Sequence, residues 1–279
     1  MPILQQASID DRKRLLELFP VSVLRHGWEH KGTKEELCYA AAADASDPDR
    51  ERVAKFVDEY LGCCKQHVYV YSHNGEVTLP DSVLSGEKVL EGKSHALYVI
   101  RTTYNVVLRD PLEEQTLEFL WPLRVELTAE YMVVRFVVLE KNPSSYFERP
   151  VYVGGKSVDE KAVLAEISNG LLKPADLNKG LKKLWADGII DSFKTKFKKT
   201  ISTAAETMDE ERGIKEHNPE LYTILQESPL YLTVFQIQEE KSKIGTFSAD
   251  PSNGIIGFTH YSEAKEDTDV VIDEILKNN

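Results

Sequence analysis

The first 62 residues place hydrophobic positions at helical spacing. The clearest stripe consists of Val53, Phe56, Val57, Tyr60 and Leu61. Because residues three and four apart share one face of a helix, this spacing predicts an amphipathic helix that opens at Asp47-Pro48-Asp49 and ends at Gly62. Ser8 is placed to cap an earlier helix, and Thr33 to Glu36 fits a capping box that opens another. Residues 1–62 are therefore predicted to be all-helical.

After this region the period of the hydrophobic positions changes from 3.6 to 2. The segments with strand patterns are 67–71, 96–108, 117–127 and 131–139. In the third, apolar residues stand at every odd position, with Glu118, Arg124 and Glu126 between them, so one face is predicted to be buried and the other wet. The fourth is apolar on both faces, which is typical of a central strand.

Turn-forming residues and one proline refine the prediction for this sheet. Asn74-Gly75 follows the first strand closely and predicts that the strand enters a hairpin. Pro122 lies on the polar side of its strand and lacks an amide donor, which predicts an edge position or a bulge. Residues 63–142 are thus predicted to form an antiparallel sheet of about four strands.

Both kinds of pattern occur after Asn142-Pro143-Ser144-Ser145, which we interpret as a connector. Helices are predicted over 158–167, 176–187 and 268–276, and strands over 193–199, 231–238 and 255–259. The predicted fold class is α+β, with an N-terminal helical region at 1–62, a central antiparallel sheet at 63–145 and a C-terminal mixed α/β region at 146–279.

The composition is that of a globular protein, with 42% hydrophobic and 29% charged residues. No apolar run approaches the roughly 20 residues that cross a bilayer, and the N-terminus lacks the features of a secretory signal. We therefore predict a cytoplasmic protein without a membrane partner. Its three cysteines, Cys38, Cys63 and Cys64, are too few for a disulfide framework and are predicted to be reduced. The sequence predicts no cofactor.

Residues 173–199 form a basic segment in an acidic chain. Eight lysines and three aspartates give this segment a net charge of +5, whereas the whole chain carries −12. In its last part Phe193, Thr195 and Phe197 alternate with lysines, so the lysines are predicted to share one face of a strand. The lysines that we predict to contact nucleic acid are Lys179, Lys182, Lys183, Lys194, Lys196, Lys198 and Lys199.

The sequence NKGLKKLWADGII, followed by this lysine-lined strand, resembles the recognition helix and first wing strand of winged-helix DNA-binding domains. The resemblance implies that the leucines pack the helix, that the DGII turn starts the wing, and that basic residues meet phosphates. It covers about 30 residues, and the stretch between Gly170 and Asp176 has no room for the second helix of such a domain.

Two other interpretations of the lysines stay open. They can form a solvated face that neighbouring acidic surface balances, since runs of charge commonly serve solvation. They can also protect an exposed sheet edge against aggregation. Either interpretation leaves the segment without a ligand.

A second resemblance lies at Gly32-Thr33-Lys34-Glu35-Glu36-Leu37, which is similar to the start of the second helix in SAP-type modules, small helical DNA-binding units. It implies DNA contact through the N-terminal region. A capped helix that opens with a charged turn explains the same residues without DNA.

One motif suggests metal chemistry. His26, Glu29 and His30 match H-x-x-E-H, in which two histidines one helical turn apart bind zinc and the glutamate activates water. That chemistry needs a long helix, and Gly27 and Gly32 interrupt this one. The alternative without metal binding is a pair of histidines at a helix end.

Two shorter patterns have structural explanations. Gly154-Gly155-Lys156-Ser157 is similar to the end of a phosphate-binding P-loop, but Pro150 stands where that motif needs its first glycine, so we predict a turn followed by a serine helix cap. Cys63-Cys64 with His67 lacks a second ligand pair, so half-buried thiols at a strand entry are predicted.

No complete catalytic signature occurs in the chain, which favours a binding or adaptor protein over an enzyme. The leading hypothesis is contact with DNA, RNA or another polyanion through the lysines. Two alternatives remain: a structural subunit that binds protein partners in a larger assembly, and a metal-dependent hydrolase that uses His26, Glu29 and His30.

Overall fold

The computed structural model describes residues 3–43, 49–75, 77–139, 143–168, 170, 172–198, 203–207, 213–237, 244–264 and 266–279. Helices and antiparallel strands occur together in these residues, so the fold class is α+β, as the sequence predicts. In the part of the chain described, no helix is both long and apolar enough to cross a membrane.

The helices in chain order are α1 (Ile3–Gln6), α2 (Ile9–Leu16), α3 (Val21–Gly27), α4 (Lys34–Ala43), α5 (Asp49–Tyr60), α6 (Glu160–Ile167), α7 (Asn178–Ala186), α8 (Ile214–His217), α9 (Pro219–Glu227) and α10 (Glu266–Lys277). The strands are β1 (Gln66–Ser72), β2 (Ser82–Val83), β3 (Gly86–Glu91), β4 (His95–Leu108), β5 (Glu113–Leu127), β6 (Tyr131–Val137), β7 (Val151–Lys156), β8 (Lys173–Pro174), β9 (Ile190–Lys198), β10 (Thr203–Thr207), β11 (Thr233–Ile237), β12 (Thr246–Asp250) and β13 (Ile255–Phe258).

The chain divides into two compact units, each assembled from separated stretches of sequence. The first unit comprises Met1–Leu61, Gly75–Thr128 and Val134–Leu172, and the second comprises Gly62–Asn74, Ala129–Val133 and Lys173–Asn279. The predicted regions 1–62, 63–145 and 146–279 follow composition along the chain, whereas the two units follow contacts in space.

Strands β4 and β5 form the centre of the sheet in the first unit. Strand β4 also pairs with β3 and β7, and β5 lies between β4 and β6. The β4–β5 ladder runs through the pair Val99–Pro122 without a register shift, and Pro122 is buried. The predicted edge position or bulge at Pro122 is therefore wrong. A proline removes one donor from a ladder, and burial of its ring offsets that cost here.

The predicted helix cap at Ser8 and the predicted capping box at Thr33 to Glu36 both form in the first unit, and the Ser8 cap is itself a capping box. At α2 the Ser8 Oγ accepts the Asp11 amide at 3.1 Å, and Asp11 Oδ2 accepts the Ser8 amide at 3.0 Å. At α4 the Thr33 amide donates to Glu36 Oε2 at 2.8 Å, and Thr33 Oγ1 accepts the Glu36 amide at 3.3 Å. Each box satisfies amides that have no partner within the helix.

The stripe of α5 packs as its spacing predicts. Val53, Phe56 and Val57 are buried, and the Phe56 ring lies 5.1 Å from that of Phe19 and 4.6 Å from that of Trp28, centroid to centroid. Such tilted and edge-to-face contacts are favourable beyond the area they bury. The predicted opening residues Asp47 and Pro48 lie outside the described residues.

In the second unit the strand order is β10-β9-β11-β12-β13-β1, with β8 beside β1. One face of this sheet packs against α7 and α10 over a core that contains Leu181, Phe235, Phe247 and Ile272. Helix α7 approaches α10 closely at Gly180, where a Cβ would lie 2.2 Å from the carbonyl oxygen of Ile275. We call this side of the sheet the helix face.

The predicted hairpin at Asn74-Gly75 is wrong. Strand β1 pairs with β13 and β8, and the next strand in the chain, β2, pairs with β3 in the first unit. The hydrophobic period of β1 predicts a strand from neighbouring residues alone. The strand that pairs with β1 is instead selected by packing, and it lies far along the chain.

Candidate polyanion-binding surface

Helix α7 forms from the basic segment because its leucines lie on one side. Leu181, Leu184 and Trp185 are buried against the helix face. The helix ends before Gly188, whose φ of +73° is the left-handed conformation in which glycine commonly terminates helices. The chain then enters β9. The sequence-predicted helix and strand of this segment are thus both confirmed.

The alternation predicted for β9 is confirmed for the side chains described. Thr195 and Phe197 are each 1% exposed and point toward the helix face, whereas Lys194 and Lys196 are exposed on the opposite side. The hydroxyls of Thr195 and Thr233 lie 2.9 Å apart in the core. Because β-strand side chains alternate, this burial directs both ammonium groups to one side of the sheet.

A register shift in β9 separates its two halves. Ser192 pairs with Phe235, and Lys194 pairs with Val234, so an extra residue, Phe193, is inserted between them. Phe193 is only partly buried for this reason, although the sequence places it with Thr195. The shift brings the lysines onto the side of the sheet away from α7.

The lysines of α7 differ from those of β9 in their contacts and in the side of the sheet on which they lie. Lys182 Nζ donates to the carbonyl oxygens of Gln226 at 3.0 Å and of Ser228 at 2.8 Å, and burial lowers its pKa. Lys183 Nζ forms an ion pair with Asp187 at 2.7 Å. Lys179 is exposed on the outer side of the helix. These three lysines and those of β9 therefore occupy opposite sides of the sheet.

The structure does not describe the side chains of the last two lysines that were predicted to contact nucleic acid. Lys198 ends β9, paired with Thr203, but its side chain is outside the described part of the structure, and so is the whole of Lys199. Of the seven lysines predicted to bind nucleic acid, Lys194 and Lys196 are the two whose described side chains share the side of the sheet away from α7. We call this side the lysine face.

Where side chains are described, no carboxylate forms an ion pair with Lys194 or Lys196. Asp250 lies on the lysine face by strand register, and its Oδ2 accepts the Asn253 side-chain amide at 2.8 Å. It lies two strands away from β9, about 10 Å across the sheet. Among the described side chains, no ion pair therefore competes with an external anion at these two lysines.

Comparison of the chain with protein-family models, curated proteins and solved structures finds no match.

Apart from His67, the floor of the lysine face consists of residues that the sequence prediction did not single out. Directly paired residues of antiparallel strands point to the same side, and the pairs that start from Lys194 are Lys194–Val234, Val234–Ser248, Ser248–Gly257 and Gly257–His67. Strand β12, which carries Ser248, was not predicted. Its alternation of Thr246, Ser248 and Asp250 with Phe247 and Ala249 was a usable signal.

The H-x-x-E-H motif does not lie on one helix. Helix α3 ends at Gly27, the backbone of Trp28 is extended, and Glu29 and His30 follow outside any helix. The two histidines thus lack the one-turn spacing that zinc ligation by this motif requires. Among the described residues no group of three or more His, Cys, Asp or Glu side chains is placed to hold a metal ion.

The P-loop-like residues belong to a strand. Gly154, Gly155 and Lys156 are part of β7, which corrects the predicted turn. The predicted serine cap is also wrong: Asp159 caps α6 through its side chain, which accepts the Ala162 amide at 2.8 Å. Ser157 Oγ instead accepts the Thr103 amide at 2.9 Å. Pairing with β4 thus outweighs the turn preference of the two glycines.

The three cysteines form no disulfide, and two of them are more deeply buried than predicted. Cys38, Cys63 and Cys64 are each fully buried, whereas half-buried thiols were predicted for Cys63 and Cys64. Burial raises the pKa of the Cys38 thiol to about 12. A thiol in such surroundings behaves as a small apolar side chain.

Proposed function

We propose that the second unit binds nucleic acid through Lys194 and Lys196. The observation that carries this proposal is the alternation in β9, where buried Thr195 and Phe197 hold the two lysines on one exposed side. Ammonium groups fixed by a strand neutralise phosphates and release condensed counterions, which favours association. Because the chain as a whole carries −12, the local positive charge also orients an approaching polyanion.

Two of the three helix lysines contribute less to this proposal. Lys182 already donates to two carbonyl oxygens, and Lys183 already has a carboxylate partner. A phosphate would have to replace these contacts, whereas the strand lysines gain a partner without losing a described one. The proposed contact therefore depends on β9 rather than on α7.

The proposal is tested by salt-dependent binding of a fluorescent DNA or RNA oligonucleotide to the full chain. The variant K194E/K196E is compared with K93E/K161E, which makes the same change in net charge at exposed lysines of the first unit. For two phosphate contacts we expect the first variant to reduce the slope of log affinity against log salt by about 1.4 to 1.8. The second variant should keep the slope of the original chain.

A variant that removes negative charge from the lysine face provides a second test. Asp250→Asn removes a carboxylate from the lysine face, so we expect the affinity for the oligonucleotide to rise. Equal effects of the two lysine variants, or absence of salt-dependent binding in the original chain, would reject nucleic-acid contact at this surface. Binding of poly-glutamate with loss of oligonucleotide binding would indicate an acidic protein partner instead.

A further inference from the structure

The position of α7 relative to the β9 lysines restricts the kind of nucleic acid that fits. Phe197 and Trp185 belong to the same core, so α7 covers the helix face while Lys194 and Lys196 point away from it. In a winged-helix complex the recognition helix and the wing contact one duplex together. Here α7 and the β9 lysines cannot reach the same duplex in that way. The lysine face must therefore bind its ligand on the sheet itself.

The geometry points to a single-stranded nucleic acid that crosses the lysine face, an inference that rests on the proposed function. Single strands bind proteins through basic residues along the backbone and through aromatic side chains on which unpaired bases stack. A sheet supplies both when its outward side chains are cationic on one strand and aromatic on another. The lysine face has this arrangement.

The middle of the lysine face is shallow. Val234, Ser248 and Gly257 lie side by side on three neighbouring strands, and Ser248 Oγ donates to the Gly257 carbonyl oxygen at 3.3 Å. A Cβ at Gly257 would lie 2.6 Å from Ser248 Oγ, so a larger residue at position 257 would displace the serine hydroxyl. Small side chains here leave room for planar bases close to the backbone.

Aromatic rings stand at the far side of this shallow region. His67 pairs with Gly257, and Tyr69 pairs with Ile255, so both side chains belong to the lysine face, where they are partly exposed. Four strand spacings separate β9 from β1, about 19 Å. A strand whose phosphates contact the lysines would need a few nucleotides to bring a base onto Tyr69. We expect a site of about 4–6 nucleotides, at the small end for single-strand binding domains.

The test compares three probes on the full chain at one salt concentration: a single-stranded oligonucleotide, the duplex of the same sequence, and heparin, a polyanion without bases. We expect the single strand to bind at least tenfold more tightly than the duplex. Tyr69→Ala should weaken single-strand binding by about 5- to 150-fold, the range for loss of one stacked base, and should leave heparin binding unchanged. K194E/K196E should weaken all three.

Tyr69→Phe is the matched control, because it keeps the ring and should retain single-strand affinity. Ser248→Glu gives a second readout without truncating Tyr69: a carboxylate in the shallow region should weaken single-strand binding. Equal affinity for duplex and single strand, or single-strand affinity that Tyr69→Ala leaves unchanged, would overturn this inference while the proposed function stands. Failure of all three probes to bind would overturn both.

Discussion

The indole Nε1 of Trp185 donates a hydrogen bond to Oδ1 of Asp191 at 2.8 Å. The same oxygen accepts the Ser192 amide at 2.7 Å, so one carboxylate fixes the end of α7 to the start of β9. Trp185 is fully buried, and a buried donor without a partner costs free energy. We expect Asp191→Ala to lower the free energy of unfolding by about 1–3 kcal/mol, measured by urea denaturation.

Asp191 is also coupled sterically to Gly213, because a Cβ at Gly213 would lie 1.8 Å from Asp191 Oδ2. Gly213→Ala should therefore destabilise the original chain by about 1–3 kcal/mol or more. In the Asp191→Ala background the same substitution should cost clearly less, since its clash partner has gone. Equal costs in the two backgrounds would show that the close approach is not the cause.

The capping box at α2 predicts a stability term that depends on pH. Burial raises the pKa of Asp11, but hydrogen bonds from Ser8 and the charge of Arg14 outweigh it, and the net pKa lies below its usual 3.8. A lowered carboxyl pKa contributes stability that is present above 3.8 and is lost as pH falls through the folded value. Ser8→Ala should cost about 1 kcal/mol at neutral pH.

An NMR titration of the Asp11 carboxyl checks the cause. In Ser8→Ala the Asp11 pKa should move upward from its value in the original chain, because the hydroxyl that donates to Asp11 Oδ2 is lost while the amide of residue 8 remains. Ser8→Thr keeps the hydroxyl and should keep the low pKa. An unchanged Asp11 pKa in Ser8→Ala would assign the shift to the amide of residue 8 and to Arg14.

Two left-handed glycines of the second unit form a matched pair. Gly254 has a φ of +67° and Gly245 a φ of +71°, but a Cβ at Gly254 would lie 2.5 Å from the Val70 carbonyl oxygen, whereas a Cβ at Gly245 would have no described atom within 4 Å. Gly245→Ala should cost only the backbone strain, about 1–2 kcal/mol. Gly254→Ala adds a backbone clash and should cost several kcal/mol or prevent folding. Similar unfolding free energies for the two variants would contradict this.

The three cysteines should be unreactive in the folded chain. All are fully buried, and thiol reagents attack the thiolate, which is suppressed where burial raises the pKa, as at Cys38. We expect slow labelling by a disulfide reagent at pH 8, with all three thiols released when the chain is unfolded. Fast labelling of one thiol in the native chain would locate a site that opens readily.

Local patterns predicted much of the fold. The capping boxes, the stripe of α5 and the alternation in β9 depend on residues within a few positions of each other, and all three were predictable from the sequence. The partner of β1 was not predictable, because Val68 pairs with Ile256 near the other end of the chain. Periodicity determines which side chains share a face but does not select the neighbouring strand.

For the same reason, the sequence predicts only part of the candidate site. The sequence indicates that Lys194 and Lys196 point together, but it does not indicate that α7 packs on the other side of the sheet through Phe197 and Trp185. The surroundings of Lys182 likewise depend on carbonyl oxygens at Gln226 and Ser228, far along the chain. Contacts of this range follow from packing rather than from spacing.

The pairing of β1 with β13 also has a consequence for synthesis on the ribosome. Strand β1 is translated early, and the strand that completes its ladder emerges about 190 residues later, which takes about 10–40 s at typical elongation rates. During that interval residues Gln66 to Tyr69 have no β13 to pair with. Slowing or stalling translation after β1 should therefore increase the recruitment of chaperones to the nascent chain.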